Sequence, residues 1–392
     1  MSLIAKLPRL RPTSGELLHL DVMRFIAATA IVFHHSHEFF VPVTKSPFLI
    51  REQRAGLALF VDLFFVISGF VIAYIYHNRM SSFADYFTFL QRRVGRLVPL
   101  HWLTLLAFIL MWSGFLLLHI PRIHTPSFKP ECIAETALLM HSFLSCGRTF
   151  NSVTWSVSAE MALYAIFPVF AFIGAKSASG LLGMGLTALM VMVTLVVSQH
   201  DWNWLDSPWI DLSPVLRALP SFIFGAALFY NRQIVARLPA PGFILTLLTT
   251  GLIVAMVTGV SQLATLFLVY MVALAAVAAD IRGGPSAFVR RFAPLGQLTY
   301  SIYMWHMLFI SFLLNGVGDH FSHETRSAAI LLVLACYSSI FVVSYFSFFF
   351  IETPARRWID KFGFRKSRPA SGLCASSGVD QPKLRIPGIV RE

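Results

Sequence analysis

The sequence predicts an all-α fold: a polytopic integral membrane bundle of about ten transmembrane helices with both termini cytoplasmic. Hydrophobic residues make up 56% of the 392-residue chain, and the mean hydropathy is +0.70. Only 13% of residues are charged, roughly half the share typical of soluble domains. Apolar runs recur at lengths that cross a hydrocarbon core of ~30 Å, so the lipid bilayer is the expected environment. The net charge of +12 does not point to nucleic acid. The basic residues sit at the ends of apolar runs and accompany no recognition motif, so they read as topology and no nucleic-acid partner is expected.

In chain order the runs lie at residues 18–40, 55–77, 97–119, 155–174, 180–198, 212–230, 242–259, 262–279, 294–315 and 327–350. With the N-terminus inside, the inner connections and ends hold 22 Lys and Arg and the outer connections 7, while Arg24 and Arg217 fall within spans. Leaving out the tail from residue 351 still gives 13 against 7, the bias of the positive-inside rule. Residues 1–16 read as a cytoplasmic segment without a cleavable signal, because the first apolar run continues past a signal's hydrophobic core. Residues 17–357 read as the membrane domain and 358–392 as a cytoplasmic, largely disordered tail, its end rich in Ser, Pro, Gly and basic residues. Segment 133–144 is apolar but short and contains Glu135, which fits an interfacial or re-entrant position. No internal repeat of the kind common in secondary transporters is visible.

The most informative pair is Arg24 and His35. Eleven residues on a helix make three turns plus about 20°, so both share one face, roughly 16 Å apart along the axis. Ionisable groups in lipid are costly and mark functional sites by default. The expectation is that the two line one polar cavity. His34, His35, His37 and Glu38 also form a polar end to this helix. A metal site on His34 and Glu38, four apart, and an interfacial histidine cluster of His34 and His37 both remain readings, but no Cys/His or HExxH pattern supports metal and none is expected.

Asp62 lies in the second span, where a carboxylate is expected to pair with a cation on the first helix. Ser68 and Gly69 follow it as a small pair suited to close helix packing. Arg92, Arg93 and Arg96 are three to four apart at the inner mouth of the third span. They form a guanidinium fork for phosphate oxygens or a basic cluster for anionic lipid. Ser156 and Glu160, four apart, open the fourth span, and the spacing departs from a capping box. Glu160 is expected to position the imidazole of His35 or stabilise its charged form. Tyr303 and His306 in the ninth span are supporting or substrate-contacting candidates. Glu352 is expected to organise inner arginines. The outer loop from His200 to Asp211 carries Trp202, Trp204 and Trp209, placed as interfacial anchors or as a sugar-stacking surface. Cys132 and Cys146 fall in one outer connection and are expected to pair.

Six elements in order resemble the acyltransferase 3 family of bacterial membrane acyltransferases over roughly residues 15–357. They are the Arg24-to-His35 spacing, Phe-Phe-x-x-Ser-Gly-Phe at 64–70, Arg-Arg-x-x-Arg-x-x-Pro at 92–99, Trp-Ser-x-Ser-x-Glu at 155–160, Tyr-Ser-x-Tyr-x-x-His at 300–306 and Glu-x-Pro at 352–354. Thr299 and Met304 stand where such proteins often carry Ser and Leu, and no extracellular esterase-like domain of the kind fused to some relatives is expected. The resemblance implies an acyl-CoA donor, acetyl-CoA above all, and O-acylation of a carbohydrate such as exported polysaccharide, lipopolysaccharide or Nod factor, in the bacterial inner membrane. On that reading Arg24, Arg92, Arg93 and Arg96 hold the donor. His35 serves as general base or transient acyl carrier, Glu160 orients it, and Asp62, Ser156, Tyr303 and His306 support the site. Donor and acceptor then enter from opposite faces of the bilayer. The rival is a transporter or flippase whose Arg24, His35, Asp62 and Glu160 relay protons.

Overall fold

The computed structural model describes residues 8, 10, 17–44, 56–119, 126–142, 146, 150–198, 214–318 and 326–362. The His200–Asp211 loop and the tail from 363 onward, both assigned roles above, lie outside the described residues. All regular structure among the described residues is helical. The principal helices are α1 (Leu18–Thr44), α2 (Phe60–Tyr76), α3 (Phe83–Leu117), α4 (Pro130–Ala137), α5 (Trp155–Lys176) and α6 (Ala178–Ser198). There follow α7 (Pro214–Tyr230), α8 (Pro241–Thr258), α9 (Gln262–Arg282), α10 (Thr299–Phe309), α11 (Arg326–Ser347) and α12 (Thr353–Phe362).

Among the described residues, eight helical segments are long and apolar enough to cross a membrane on those grounds alone. Helix α7, with 17 residues, and α1, whose polarity comes from Asp21, Arg24 and its histidines, occupy the other two expected positions. Side chains on the outer faces of α6, α8 and α11, such as Met190, Leu247 and Leu331, are well exposed. On a soluble protein such surfaces would drive association; here they are the faces that meet lipid.

Helix α3 begins at Phe83, well before the expected run at 97. Ser82 accounts for the early start: its hydroxyl accepts the Asp85 N–H at 3.2 Å and donates to the Asp85 carboxylate at 2.7 Å. That cap satisfies an orphan donor of the first turn. A 35-residue helix is ~52 Å long, more than the hydrocarbon core requires. Its first turns therefore stand inside the expected cytoplasmic face and carry Arg92, Arg93 and Arg96.

Helix α1 runs through the middle of the bundle, packed on α2, α9 and α10. Its start is capped from another helix. Asp280 of α9 accepts the backbone N–H of His19 at 2.8 Å and of Leu20 at 3.0 Å, and also pairs with the His19 ring at 2.8 Å. A carboxylate at a helix N-terminus satisfies free donors and complements the helix dipole. The cap lies one turn before Arg24 and fixes where that side chain enters the bundle.

Between α3 and α5 the short helix α4 caps the outer end. His101 Nε2 bonds Thr136 O at 2.7 Å, and the Trp102 indole donates to Ala137 O at 2.8 Å. Cys132 and Cys146 form the expected disulfide. His141 bonds the Thr154 hydroxyl at 3.1 Å in a buried site. Burial first, and His101 second, push its pKa down to about 4. Between the ordinary histidine value of about 6.5 and pH 4, the unfolded chain takes up a proton that the folded chain refuses. Stability therefore falls as pH drops through that window, by about 3 kcal/mol in all. His141→Gln is expected to remove most of this acid sensitivity. Thermal midpoints in detergent at pH 7 and pH 5 check it, and an unchanged pH dependence in the variant would contradict the assignment.

Candidate active site

A cavity of about 390 Å³ opens between α1, α2, α3, α5, α10 and α12. Its basic side is built from Arg24, Arg93, Arg96 and Arg356. Arg24 pairs with Asp21, three residues earlier, at 3.5 Å. Arg356 pairs with the buried Glu352, four residues earlier, at 3.0 Å. Arg93 donates to the Tyr76 hydroxyl at 3.0 Å and lies 5.2 Å from that ring's centre. Its Nε and Nη1 are buried without a hydrogen-bond partner among the described residues. Four guanidinium groups thus face two lining carboxylates, Asp21 and Glu160, and buried guanidinium hydrogens left unmatched favour an anion with several oxygens.

Helix α12 reaches this side because of how it joins α11. The chain passes from α11 through a π-helical stretch, Phe348–Glu352, into α12. Pro354 lacks an N–H, and the wider turn ahead of it is a place where the regular ladder is already altered. Glu352 turns inward, 1% exposed, where it accepts from Ser301 and from Arg356.

Beside Arg93, whose guanidinium lies 5.8 Å from the Tyr164 ring centre, hydroxyls gather around a carboxylate. The Ser68 hydroxyl donates to Glu160 Oε1 at 2.5 Å, and the Tyr164 hydroxyl donates to the same oxygen. Ser68 and Tyr164 are also 2.9 Å apart. One helical turn along α5, Ser156 bonds the Tyr303 hydroxyl at 2.7 Å, and Tyr303 donates to Val153 O at 3.0 Å. The four-residue spacing of Ser156 and Glu160 puts both on the cavity face of α5.

Of the residues picked from sequence, Arg24, Arg93, Arg96, Ser156, Glu160 and Tyr303 meet here. Four expectations need correction. His35 does not line the cavity with Arg24. It packs against His34 and His306, with ring centres 4.9 and 5.4 Å away, and His306 in turn lies 5.6 Å from Tyr303. Helical phase gives a shared face but not a shared depth, and the ~16 Å of rise between the two residues leaves His35 behind His306 and Tyr303, of which only Tyr303 lines the cavity. Glu160 is bonded to Ser68 and Tyr164 rather than to His35. Arg92 points away from the cavity, half-exposed and 3.4 Å from Asp360 of α12. Asp62 pairs with Arg217 of α7 at 2.7 Å, not with a cation on α1.

His306 is fully buried, and its Nδ1 lies 2.7 Å from Tyr303 O. A carbonyl only accepts, so Nδ1 carries the hydrogen and Nε2, buried and without a hydrogen-bond partner among the described residues, is the bare nitrogen. The Glu38 side chain, the other half of the metal reading, lies outside the described residues. Sequence reasoning passed over Asp21, Tyr164 and Arg356, and treated Ser68 as packing. Spacing held a signal for two of them: Asp21 is three before Arg24, and Arg356 four after Glu352, both helical pairing distances.

A multi-pass helical protein with arginines, a carboxylate and hydroxyls enclosed among its spans is built for chemistry within the membrane, and the comparisons define that class as membrane acyltransferases. The family model described as "Acyltransferase domain" matches residues 17–349. The chain belongs to the acyltransferase 3 family. It is 24% identical to Acyltransferase MdmB of Streptomyces mycarofaciens over 410 positions, covering 95% of this chain and 99% of that protein. It is 30% identical to Protein 2 in picA locus of Rhizobium radiobacter over 151 positions, covering 38% of this chain and 71% of that protein. No solved structure matches the chain.

Proposed function

We propose that the protein is an O-acyltransferase of the bacterial cytoplasmic membrane that moves an acetyl group from acetyl-CoA to a hydroxyl of a cell-surface or exported carbohydrate. Polysaccharide, lipopolysaccharide and Nod-factor-like oligosaccharide are the acceptor classes. The observation that carries this reading is the cavity whose arginines accompany a carboxylate hydrogen-bonded to two hydroxyls. Arg24, Arg93 and Arg96, joined by Arg356, hold the donor's phosphates from the cytoplasmic side. The leaving thiol has a pKa near 8.5 if it behaves like cysteine, about seven units below water's 15.7, so it departs readily. The harder task is activating the sugar hydroxyl, which needs a base at the cavity: Glu160 lines it, and His35 meets it only through His306 and Tyr303.

Acetyl-CoA with the purified protein tests the reading by release of CoA thiol coupled to acetylation of added glycan. Arg96→Ala is expected to raise KM for acetyl-CoA by about 10- to 100-fold, the worth of one or two charge-assisted hydrogen bonds, with kcat little changed. Arg92→Ala, whose partner is the exposed Asp360, is expected to stay within about twofold of wild type, since such pairs contribute little. Equal loss in both variants would remove the cavity from the donor site.

A further inference from the structure

We propose that Ser68 is the nucleophile that carries the acyl group from donor to acceptor, with Glu160 as its general base. The proposal rests on the acetyl-CoA reading above and adds a covalent step to it.

The observations come from the cavity itself. Ser68 and Glu160 both line it, as do the four arginines. The Ser68 hydroxyl is aimed across from α2 at Glu160 Oε1, 2.5 Å away, which is the contact an activated nucleophile needs with its base. Tyr164 donates to the same oxygen and lies 2.9 Å from Ser68 Oγ, so the carboxylate is held in place for that role. His35, the other carrier that the sequence offers, is packed against His306 outside the cavity lining. A donor seated on the arginines therefore meets Ser68 before it meets an imidazole.

Ser68 is also held rigidly. Its neighbour Gly69 lies so close to α7 that an added Cβ would stand 2.0 Å from Phe222 O. Backbone contact of this kind fixes the position of the hydroxyl, and placement within a fraction of an ångström is what a near-attack geometry demands.

Ser68 Oγ attacks the thioester carbonyl, the Oγ–acyl bond forms and the carbon–sulfur bond breaks. The serine proton passes to Glu160 and from there to the departing thiolate, releasing CoA as the thiol. An acceptor hydroxyl then attacks the Ser68 ester and the Oγ–acyl bond breaks. Glu160, ionised again once the thiol has left, takes the proton of the acceptor and returns it to Ser68 Oγ, so every group ends the cycle as it began.

Full-length purified protein mixed with radiolabelled acetyl-CoA and no acceptor tests this. The expected result is a burst of CoA thiol close to one per protein, with the label on Ser68 as an oxygen ester that survives neutral hydroxylamine. Ser68→Ala is expected to bind acetyl-CoA with unchanged Kd while losing both burst and label, and to lose turnover by at least ~10³-fold. Ser68→Cys is expected to take the label as a thioester that neutral hydroxylamine removes, a signature that no structural role produces. Label on His35, or steady turnover in wild type with no covalent label, overturns the proposal but leaves the donor reading standing. Wild-type protein that neither binds nor cleaves acetyl-CoA overturns the donor reading, and this step with it.

Discussion

Replacing Asp62 alone with Ala is expected to destabilise the bundle by about 3–5 kcal/mol, the loss seen when one partner of a buried ion pair is removed. Asp62 is fully buried and Arg217 is 6% exposed. Arg217 Nη2 lies 2.7 Å from Asp62 Oδ2 and donates to Ala58 O at 3.0 Å, while its Nε reaches the same carboxylate oxygen at 3.3 Å. The guanidinium also lies 5.0 Å from the ring centre of Trp155. Without the carboxylate, a charge that remains ionised at any ordinary pH is left facing one carbonyl and one ring inside the protein.

The double variant Asp62→Leu with Arg217→Met removes both charges, and apolar replacement of a whole pair is often neutral. It is therefore expected to recover most of what Asp62→Ala loses. Thermal midpoints of the two variants in one detergent decide the matter, and Asp62→Ala melting with wild type would sink it. The pair also bears on the site. Trp155 opens α5 and is followed directly by Ser156, so the guanidinium over its ring locks the start of the segment that presents Ser156 and Glu160 to the cavity. Activity is expected to fall in Asp62→Ala even at temperatures where the protein is still folded.

How much of this was legible follows from which signals are local. Helix positions were, because an apolar run long enough to cross lipid is a property of one stretch of chain. The early start of α3 was not, since its first turns are too polar for a hydropathy reading, although Ser82 with Asp85 three later holds a local cap signal. The arginine cluster was legible as a cluster, but separating Arg92 from Arg93 and Arg96 required knowing that α12 returns to place Asp360 beside Arg92. Asp62 was legible as a buried acid needing a cation, but its partner Arg217 lies 155 positions away on α7, beyond the reach of any local signal. His35 failed for a different reason. Helical phase is readable from spacing, but the depth at which a cavity ends depends on Tyr303 and its neighbours on α10. Ser68 looked like packing because a Ser-Gly pair in a span usually is packing, and only its hydrogen bond to Glu160 sets it apart.

Gly225→Ala is expected to cost about 3 kcal/mol or more, at or above the upper end of overpacking penalties, and to abolish turnover in the protein that still folds. Helices α2 and α7 touch through backbone: a Cβ on Gly225 would lie 1.9 Å from Val66 O and 3.0 Å from Phe70 N. Neither atom belongs to a flexible side chain, so the only relief is for the helices to separate by an ångström or more. Separation leaves gaps around Phe222 and Phe70, both fully buried, and adds lost packing to the clash. Ser68 lies on α2 two residues beyond Val66, whose carbonyl the new Cβ meets, so parting the two helices shifts Ser68 relative to Glu160 on α5, and misplacement on that scale costs ~10²-fold or more in rate. Gly183 on α6 supplies the contrast. An added Cβ there meets nothing within 4 Å, so Gly183→Ala is expected to be neutral or to stabilise by up to ~1 kcal/mol through helix propensity, with turnover unchanged. Melting temperature and acyl transfer measured side by side for the two variants test the link. If Gly225→Ala melts low yet keeps full turnover per folded molecule, the close contact of α2 and α7 supports the fold without placing the reactive groups.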